Sequence, residues 1–199
     1  MAVSKEPIYK RCRSLGISPM VMGVTKEYNK RNPDANKRRK VSEYGLQLKE
    51  KQKLKFIYGM LEKQFYHLFE IAQKMEGQAG ENLITLLETR LDNVVFRMGL
   101  ASTRREARQL VVHGHYDVNG KRVDIPSYRV KTGDVISLRE NSKKSEKFKQ
   151  IAETTAGRLT PEWLDVNKDA QSAKVVRMPV KADLDYELEE YLIVELYSK

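Results

Sequence analysis

The stretch Thr103-Arg-Arg-Glu-Ala-Arg-Gln-Leu-Val-Val-His-Gly-His-Tyr-Asp-Val-Asn-Gly-Lys-Arg-Val123 decides the fold class, because it contains a helix start, a helix stop and a hairpin in immediate succession. Thr103 with Glu106 three residues on is a capping box, in which a hydroxyl and a carboxylate satisfy the open amides of a first helical turn. Ala107, Leu110 and Val111 then recur on one side, with Arg104, Arg105 and Arg108 projecting elsewhere. Arg104 and Arg108 are four apart, so the sequence puts two guanidinium groups on one face. Gly114 is placed to end this helix. Val118, Asn119-Gly120 and Val123 follow, and Asn-Gly suits the positive φ that a two-residue hairpin turn requires at both positions. A capped basic helix leading into strands predicts an α+β fold.

Downstream, Pro126 and the turn Thr132-Gly133-Asp134 bracket another expected strand, and Val135-Ile136-Ser137-Leu138 supplies one more. Residues 141–160 are polar and without a clear period. Val175, Val176 and Met178 read as a further strand. Leu192, Val194 and Leu196 alternate with Glu195 and Tyr197, which predicts a docked terminal strand or extended segment. Upstream, Leu83, Leu87, Leu91, Val94 and Met98 keep a helical period as far as Gly99, in one helix or two consecutive ones. Leu61, Phe65, Leu68, Phe69 and Ala72 mark an amphipathic helix whose stripe is core packing. Ser42-Glu43 opens a helical stretch in which Lys49/Lys53 and Lys51/Lys55 are like-charge pairs. Such pairs disfavour an isolated helix but are tolerable when a polyanion neutralises them. Residues 1–41, with Pro7, Pro19, Pro33 and the run Lys37-Arg38-Arg39-Lys40, read as an irregular arm that supplies reach and charge rather than core.

The charge is uneven. The 199 residues carry 37 basic and 27 acidic side chains, net +10. Residues 1–55 are net +10, 56–89 net −3, 90–149 net +7 and 150–199 net −4. Two basic blocks separated by core-like segments point to a polyanion. Nucleic acid leads, because cations at phosphates gain affinity by releasing counterions. A membrane surface fits less well, since no wide apolar face accompanies the basic stretches. No apolar run approaches the roughly 20 residues of a membrane helix, and no signal-peptide segment is evident, so a cytosolic protein is expected.

Catalytic and metal chemistry is sparse. The single cysteine, Cys12, excludes an internal disulfide and cannot alone hold zinc. Its neighbours Lys10, Arg11 and Arg13 favour a thiolate, but no His or Asp arrangement marks a nucleophile. His113-x-His115 lacks a third ligand and reads as a polar helix end within reach of phosphate. No glycine-rich nucleotide loop is present. Arg90-Leu91-Asp92 matches the short motif around the catalytic aspartate of pseudouridine synthases. Asp92, however, falls inside a helical period, and too few residues follow for that catalytic domain, so it reads as structural. The expected cofactor set is none, with no small-molecule substrate.

The chain resembles the bacterial small-subunit ribosomal protein S-four family. The likeness rests on Ser-Glu-Tyr-Gly-Leu-Gln-Leu-Lys-Glu-Lys-Gln (42–52), Tyr-Gly-Met-Leu-Glu-Lys-Gln-Phe (58–65) and Arg-Leu-Asp-Asn-Val-Val-Phe-Arg-Met-Gly (90–99). It is extended by Arg-Gln-Leu-Val (108–111), Val-Asn-Gly-Lys-Arg-Val (118–123), Ile-Pro-Ser-Tyr (125–128) and Leu-Ile-Val-Glu-Leu-Tyr-Ser-Lys (192–199). The resemblance implies a basic arm over 1–42 and a helical lobe over 43–89 completed by 180–199. It also implies an inserted α+β lobe over 90–179 containing a small RNA-binding module at about 90–150. It implies a cytoplasmic, ribosome-bound structural protein that binds small-subunit rRNA early in assembly and nucleates the subunit body. Expected partners are ribosomal protein S-five, at an interface tied to decoding accuracy, other small-subunit proteins, and the protein's own messenger. The alternatives are a pseudouridine-synthase-like RNA-modifying enzyme and a free translational repressor. The arm differs from many members, which have four zinc-binding cysteines or Pro-Gly-Gln-His-Gly. Here Asn32-Pro33-Asp34-Ala35-Asn36 stands in that place.

Candidate RNA-binding residues are Arg104, Arg105, Arg108, His113, His115, Lys121 and Arg122 in the inserted lobe. In the helical lobe they are Tyr44, Lys49, Lys51, Lys53 and Lys55, and in the arm Lys10, Arg11, Arg13, Lys37, Arg38, Arg39 and Lys40. Tyr116 and Tyr128 are equally placed to stack on bases or to pack within a sheet.

Overall fold

The phenylalanines and leucines of the amphipathic stripes organise a chain whose computed structural model describes residues 6–24 and 42–198. In chain order the helices are α1 (Ile8–Leu15), α2 (Glu43–Ile57), α3 (Glu62–Lys74), α4 (Ala79–Glu88), α5 (Leu91–Arg97) and α6 (Arg104–Val112). Strands β1 (Tyr116–Val118), β2 (Lys121–Arg122) and β3 (Val135–Leu138) come next, then α7 (Glu140–Lys143) and α8 (Glu146–Thr155). Strands β4 (Leu164–Asn167) and β5 (Ser172–Val175) lead to α9 (Glu190–Tyr197). The chain divides into two units, one running to Leu83 with Asp185–Lys199, the other Ile84–Leu184.

In the first unit, Phe65, Leu68, Phe69 and Ala72 form the buried stripe of α3, as their spacing predicts, and Leu54 and Ile57 of α2 are buried too. Ser42 caps α2 by accepting the Gly45 amide at 3.2 Å. Asn82 ties off the end of α3, its amide donating to the carbonyls of Ala72, Met75 and Glu76.

Two expectations are corrected here. The N-terminal segment is not merely an irregular arm: α1 and a 3-10 turn at Pro19–Met22 bury Cys12, Leu15, Ile17, Val21 and Met22. Burial pushes the Cys12 thiol up, opposing the effect of its basic neighbours and keeping it protonated. The terminal residues form helix α9 rather than a strand, because Ile193 and Tyr197 lie one turn apart on the same face. Ile193 is fully buried. The Tyr197 ring packs 4.6 Å from Phe69, 5.4 Å from Tyr66 and 6.4 Å from Phe65.

The Tyr197 hydroxyl donates to Glu62 at 2.9 Å, and Lys51 and Lys55 donate to the same carboxylate at 2.5 and 2.9 Å. Burial alone would raise the Glu62 pKa; the hydrogen bonds from Lys51, Lys55 and Tyr197 outweigh it and bring it down to about 2. A carboxyl depressed on folding stabilises above its unfolded pKa and loses that contribution as pH falls through the folded one. We therefore expect the anchoring of α9 to weaken progressively between about pH 4.5 and 2. Acid titration followed by Tyr197 fluorescence or amide exchange in α9 would show it, and Glu62→Gln should remove that acid transition.

The second unit is α+β. Its antiparallel sheet has the order β2-β1-β3-β5-β4. Tyr116 pairs with Leu138, Val118 with Ile136, and Ile136 in turn with Ala173. These residues, with Val175, alternate inward against Val94 and Val95 of α5, Ala107, Leu110 and Val111 of α6, and Phe148 and Ile151 of α8. Leu83, Leu87, Leu91, Val94 and Met98 are all buried, the first four in two helices separated at Thr89-Arg90 and Met98 at the C-cap of the second.

Two local expectations differ from the structure, and one segment without a clear period proves helical. Residues 127–131 form no strand beyond one bridge between Arg129 and Arg90. Carbonyls of the 126–128 stretch serve α5 instead: Leu91 donates to the Tyr128 oxygen at 2.8 Å and Asp92 to the Pro126 oxygen at 3.2 Å. That answers the need of a helix start for acceptors. Residues 141–160 supply α7 and α8, with Phe148, Ile151 and Thr155 as the buried side of the latter. The strand near Val175 stops there, leaving Val176 and Met178 exposed. No helix among the described residues is long and apolar enough to cross a membrane.

Candidate nucleic-acid interface

Helix α6 is the centre of the site, and its start is built much as its sequence predicts. The Thr103 hydroxyl accepts the Glu106 amide at 3.2 Å; Glu106 reaches back to the amide of Ser102 at 2.9 Å, one residue earlier than a capping box uses. Ala107, Leu110 and Val111 face the core. Arg104 does too, which corrects the expectation that it projects outward beside Arg108. It is 6% exposed, its Nε donates to Asn93 Oδ1 at 2.9 Å, and its guanidinium sits 4.3 Å from the centroid of Phe96. A planar cation can be buried in this way because a hydrogen bond and an aromatic face replace part of its hydration. Arg104 therefore fixes α6 on α5, and no phosphate contact follows from its position.

Behind it lies a closed polar network. Asn93 donates to the Glu88 carboxylate at 2.9 Å, and Arg97 donates to it through two nitrogens at 3.1 and 3.0 Å. Asp92, 3% exposed, accepts two bonds from Arg90 at 3.1 and 2.9 Å and one from Arg108 Nε at 2.8 Å. Asp92 is thus a scaffold carboxylate holding the base of Arg108. Sequence reasoning missed Arg158, which donates to the carbonyls of Phe96, Ala101 and Ser102 at 2.8–3.0 Å and stacks 4.3 Å from the Phe96 ring. It clamps the turn that presents α6. No local signal could reveal it, since its partners lie 56 to 62 residues away.

The hairpin completes the basic face. Asn119 and Gly120 adopt φ of 51° and 75°, as an Asn-Gly turn requires, and Asn119 bonds both Asp134 and the Val135 amide. Lys121 and Arg122 of β2 are exposed. Arg122 lies directly over Gly114, whose φ of 72° and missing Cβ leave room for the guanidinium. His115 is half-buried, its Nδ1 2.9 Å from Ser142 Oγ and its ring edge-on to Phe148 at 5.3 Å. His113 is exposed, with its ring 6.2 Å from that of His115. Of the two tyrosines, Tyr116 is a core sheet residue whose hydroxyl donates to Leu100 O at 2.9 Å. Tyr128 stays 37% exposed, outside the sheet.

In the first unit the candidate cations separate. Lys49, Lys10 and Arg13 are exposed, as is Tyr44. Lys51 and Lys55 are taken up by Glu62, Lys53 pairs with Glu50, and Arg11 with Glu6. Lys37, Arg38, Arg39 and Lys40 lie outside the described residues, as does the segment 32–36. Among the described residues no three His, Cys, Asp or Glu side chains group as metal ligands.

Residues 4–88 match the family described as ribosomal protein S4/S9 N-terminal domain, and residues 89–136 match the S4 domain. A small ribosomal subunit protein uS4 from Lachnospira eligens is 54% identical over 199 residues, covering 100% of both chains. One from Clostridioides difficile is 60% identical over 162 residues, 81% of this chain and 78% of that protein. A uS4A protein from Alkaliphilus oremlandii is 50% identical over the whole of both. The relatives are small ribosomal subunit proteins, which makes the chain a structural ribosomal protein rather than an enzyme. With an α+β RNA-binding module built around α6 and matches running end to end, this chain belongs to the small ribosomal subunit protein uS4 family.

Proposed function

We propose that the chain is a primary rRNA-binding protein of the small ribosomal subunit, ribosome-bound in the cytoplasm, that nucleates assembly of the subunit body. With the neighbouring ribosomal protein S-five it contributes to translational accuracy. The observation that carries this reading is the exposure of cations on each unit: Lys121 and Arg122 with the half-buried Arg105 and Arg108 in one, and Lys10, Arg13 and Lys49 in the other. Arg105 and Arg108 supply planar two-pronged donors suited to phosphate. Lys51, Lys53 and Lys55 contribute field rather than primary contacts while their carboxylates hold them. Lys37, Arg38, Arg39 and Lys40 add four positive charges to the sequence ahead of α2.

Sedimentation tests the reading. In a low-salt lysate the chain should co-migrate with small subunits, and the purified chain should hold small-subunit rRNA against an excess of heparin. Failure to bind rRNA, or equal displacement by heparin, would overturn it. Co-migration with its own messenger alone would support the free repressor instead.

A further inference from the structure

The cations around His115 form a second grouping in the second unit, running from the end of α6 back to Glu106 in its first turn. Arg122 reaches from β2 across Gly114, where its guanidinium atoms fill the space a Cβ would need, 2.2–2.6 Å from that position. Among the described residues it has no carboxylate partner. Arg139, following β3, donates to the Gly114 carbonyl at 3.4 Å and meets Asp117 at 3.3 Å. Lys147 comes from α8 and touches Glu106 only at 3.5 Å. His113 completes the set from the end of α6. Three permanent cations, Arg122, Arg139 and Lys147, therefore surround the two imidazoles of His113 and His115, with Asp117 facing Arg139 and Glu106 facing Lys147. Three cations against two carboxylates leave a net positive charge around His115, which an anion would relieve.

We propose that Arg122, Arg139 and Lys147 form a seat for one backbone phosphodiester of RNA, and that His115 takes up a proton as the phosphate enters. The inference rests on the rRNA-binding reading above and assigns one subsite to it. In the free protein, burial first and then the charges of His113, Lys147, Arg139 and Arg122 hold His115 below its ordinary pKa, so it is neutral near pH 7. A phosphate between those cations reverses the electrostatic part of that effect. The ring is already oriented by Ser142 and Phe148, and protonation makes its other nitrogen, Nε2, an additional donor. By linkage, affinity for RNA must then rise as pH falls, by up to tenfold per pH unit for one proton between the free and bound pKa values. His67, the one histidine outside this cluster, sits on α3 against Glu70 and serves as the internal control.

The experiment uses the full chain and small-subunit rRNA, with dissociation constants from pH 5.5 to 8 and NMR titration of the histidine rings in free and bound protein. The wild type should show uptake of close to one proton and a raised His115 pKa in the complex, while His67 is unmoved. His115→Asn, which keeps a polar group toward Ser142, should abolish the His115 share of that uptake. Arg122→Gln should weaken binding and shrink the pKa rise, with Arg122→Lys restoring part of it. A His115 pKa unchanged on binding, or an Arg122→Gln variant that binds with wild-type affinity and pH profile, would overturn the seat while leaving rRNA binding intact. No rRNA binding by the wild type would overturn the underlying reading and the seat together.

Discussion

Glu88→Ala is expected to destabilise the second unit by about 3–5 kcal/mol, the range for removing one partner of a buried ion pair. The Glu88 side chain is 1% exposed and faces an Arg97 side chain that is 7% exposed. The carboxylate accepts two bonds from Arg97 and one from Asn93, and Asn93 in turn accepts from Arg104. Asp183, which also feels the charge of Arg97, is engaged by Arg177 at 2.6 and 2.7 Å. Deleting Glu88 strips the buried Arg97 guanidinium of both these bonds and loosens Asn93 at the base of α6. Such a loss is a large part of the 5–15 kcal/mol that typically separates folded from unfolded states. Urea denaturation should show it. A Glu88→Leu/Arg97→Met double variant should recover most of the stability, because a well-packed apolar pair replaces a buried ion pair at little cost. A Glu88→Ala loss under 1 kcal/mol would mean the network does not hold α5 and α6 together.

The same network shows where sequence reading stops. The cap at Thr103, the stripe from Phe65 to Ala72 and the Asn119-Gly120 turn were legible because each is specified by residues within a few positions of one another. Arg104 was not. A guanidinium at a helix start has the same local signature whether it points to solvent or to Phe96, and only the partner on α5 decides. The terminal helix was misread because a window from Leu192 to Tyr197 satisfies a strand period as well as a helical one; the Tyr197 contacts with α3 settle it. The segment from 126 to 130 has strand composition, yet the open amides at the head of α5 claim its carbonyls first. Lys51 and Lys55 show the same limit, since Glu62, which claims both, lies across a turn on the next helix.

What emerges is a partition of the basic side chains. Arg90, Arg97, Arg104 and Arg158 hold the second unit together; Lys121 and Arg122 are exposed and Arg105 and Arg108 half-buried, and these are the side chains that the proposed function sets against phosphate. Neutralising three phosphate-binding cations should reduce the salt dependence of binding by about two to three in log–log slope, since each contact contributes about 0.7–0.9. At about 0.1 M salt the affinity loss should be on the order of 10²–10³-fold. An Arg104→Met variant should behave oppositely, with stability falling and the slope of whatever folds kept at its wild-type value. The most direct test is therefore the salt dependence of small-subunit rRNA binding by the wild type, the Arg105→Gln/Lys121→Gln/Arg122→Gln triple variant and Arg104→Met. The account predicts a flattened slope in the triple variant alone. A wild-type slope in the triple variant, or a flattened one in folded Arg104→Met, would contradict it.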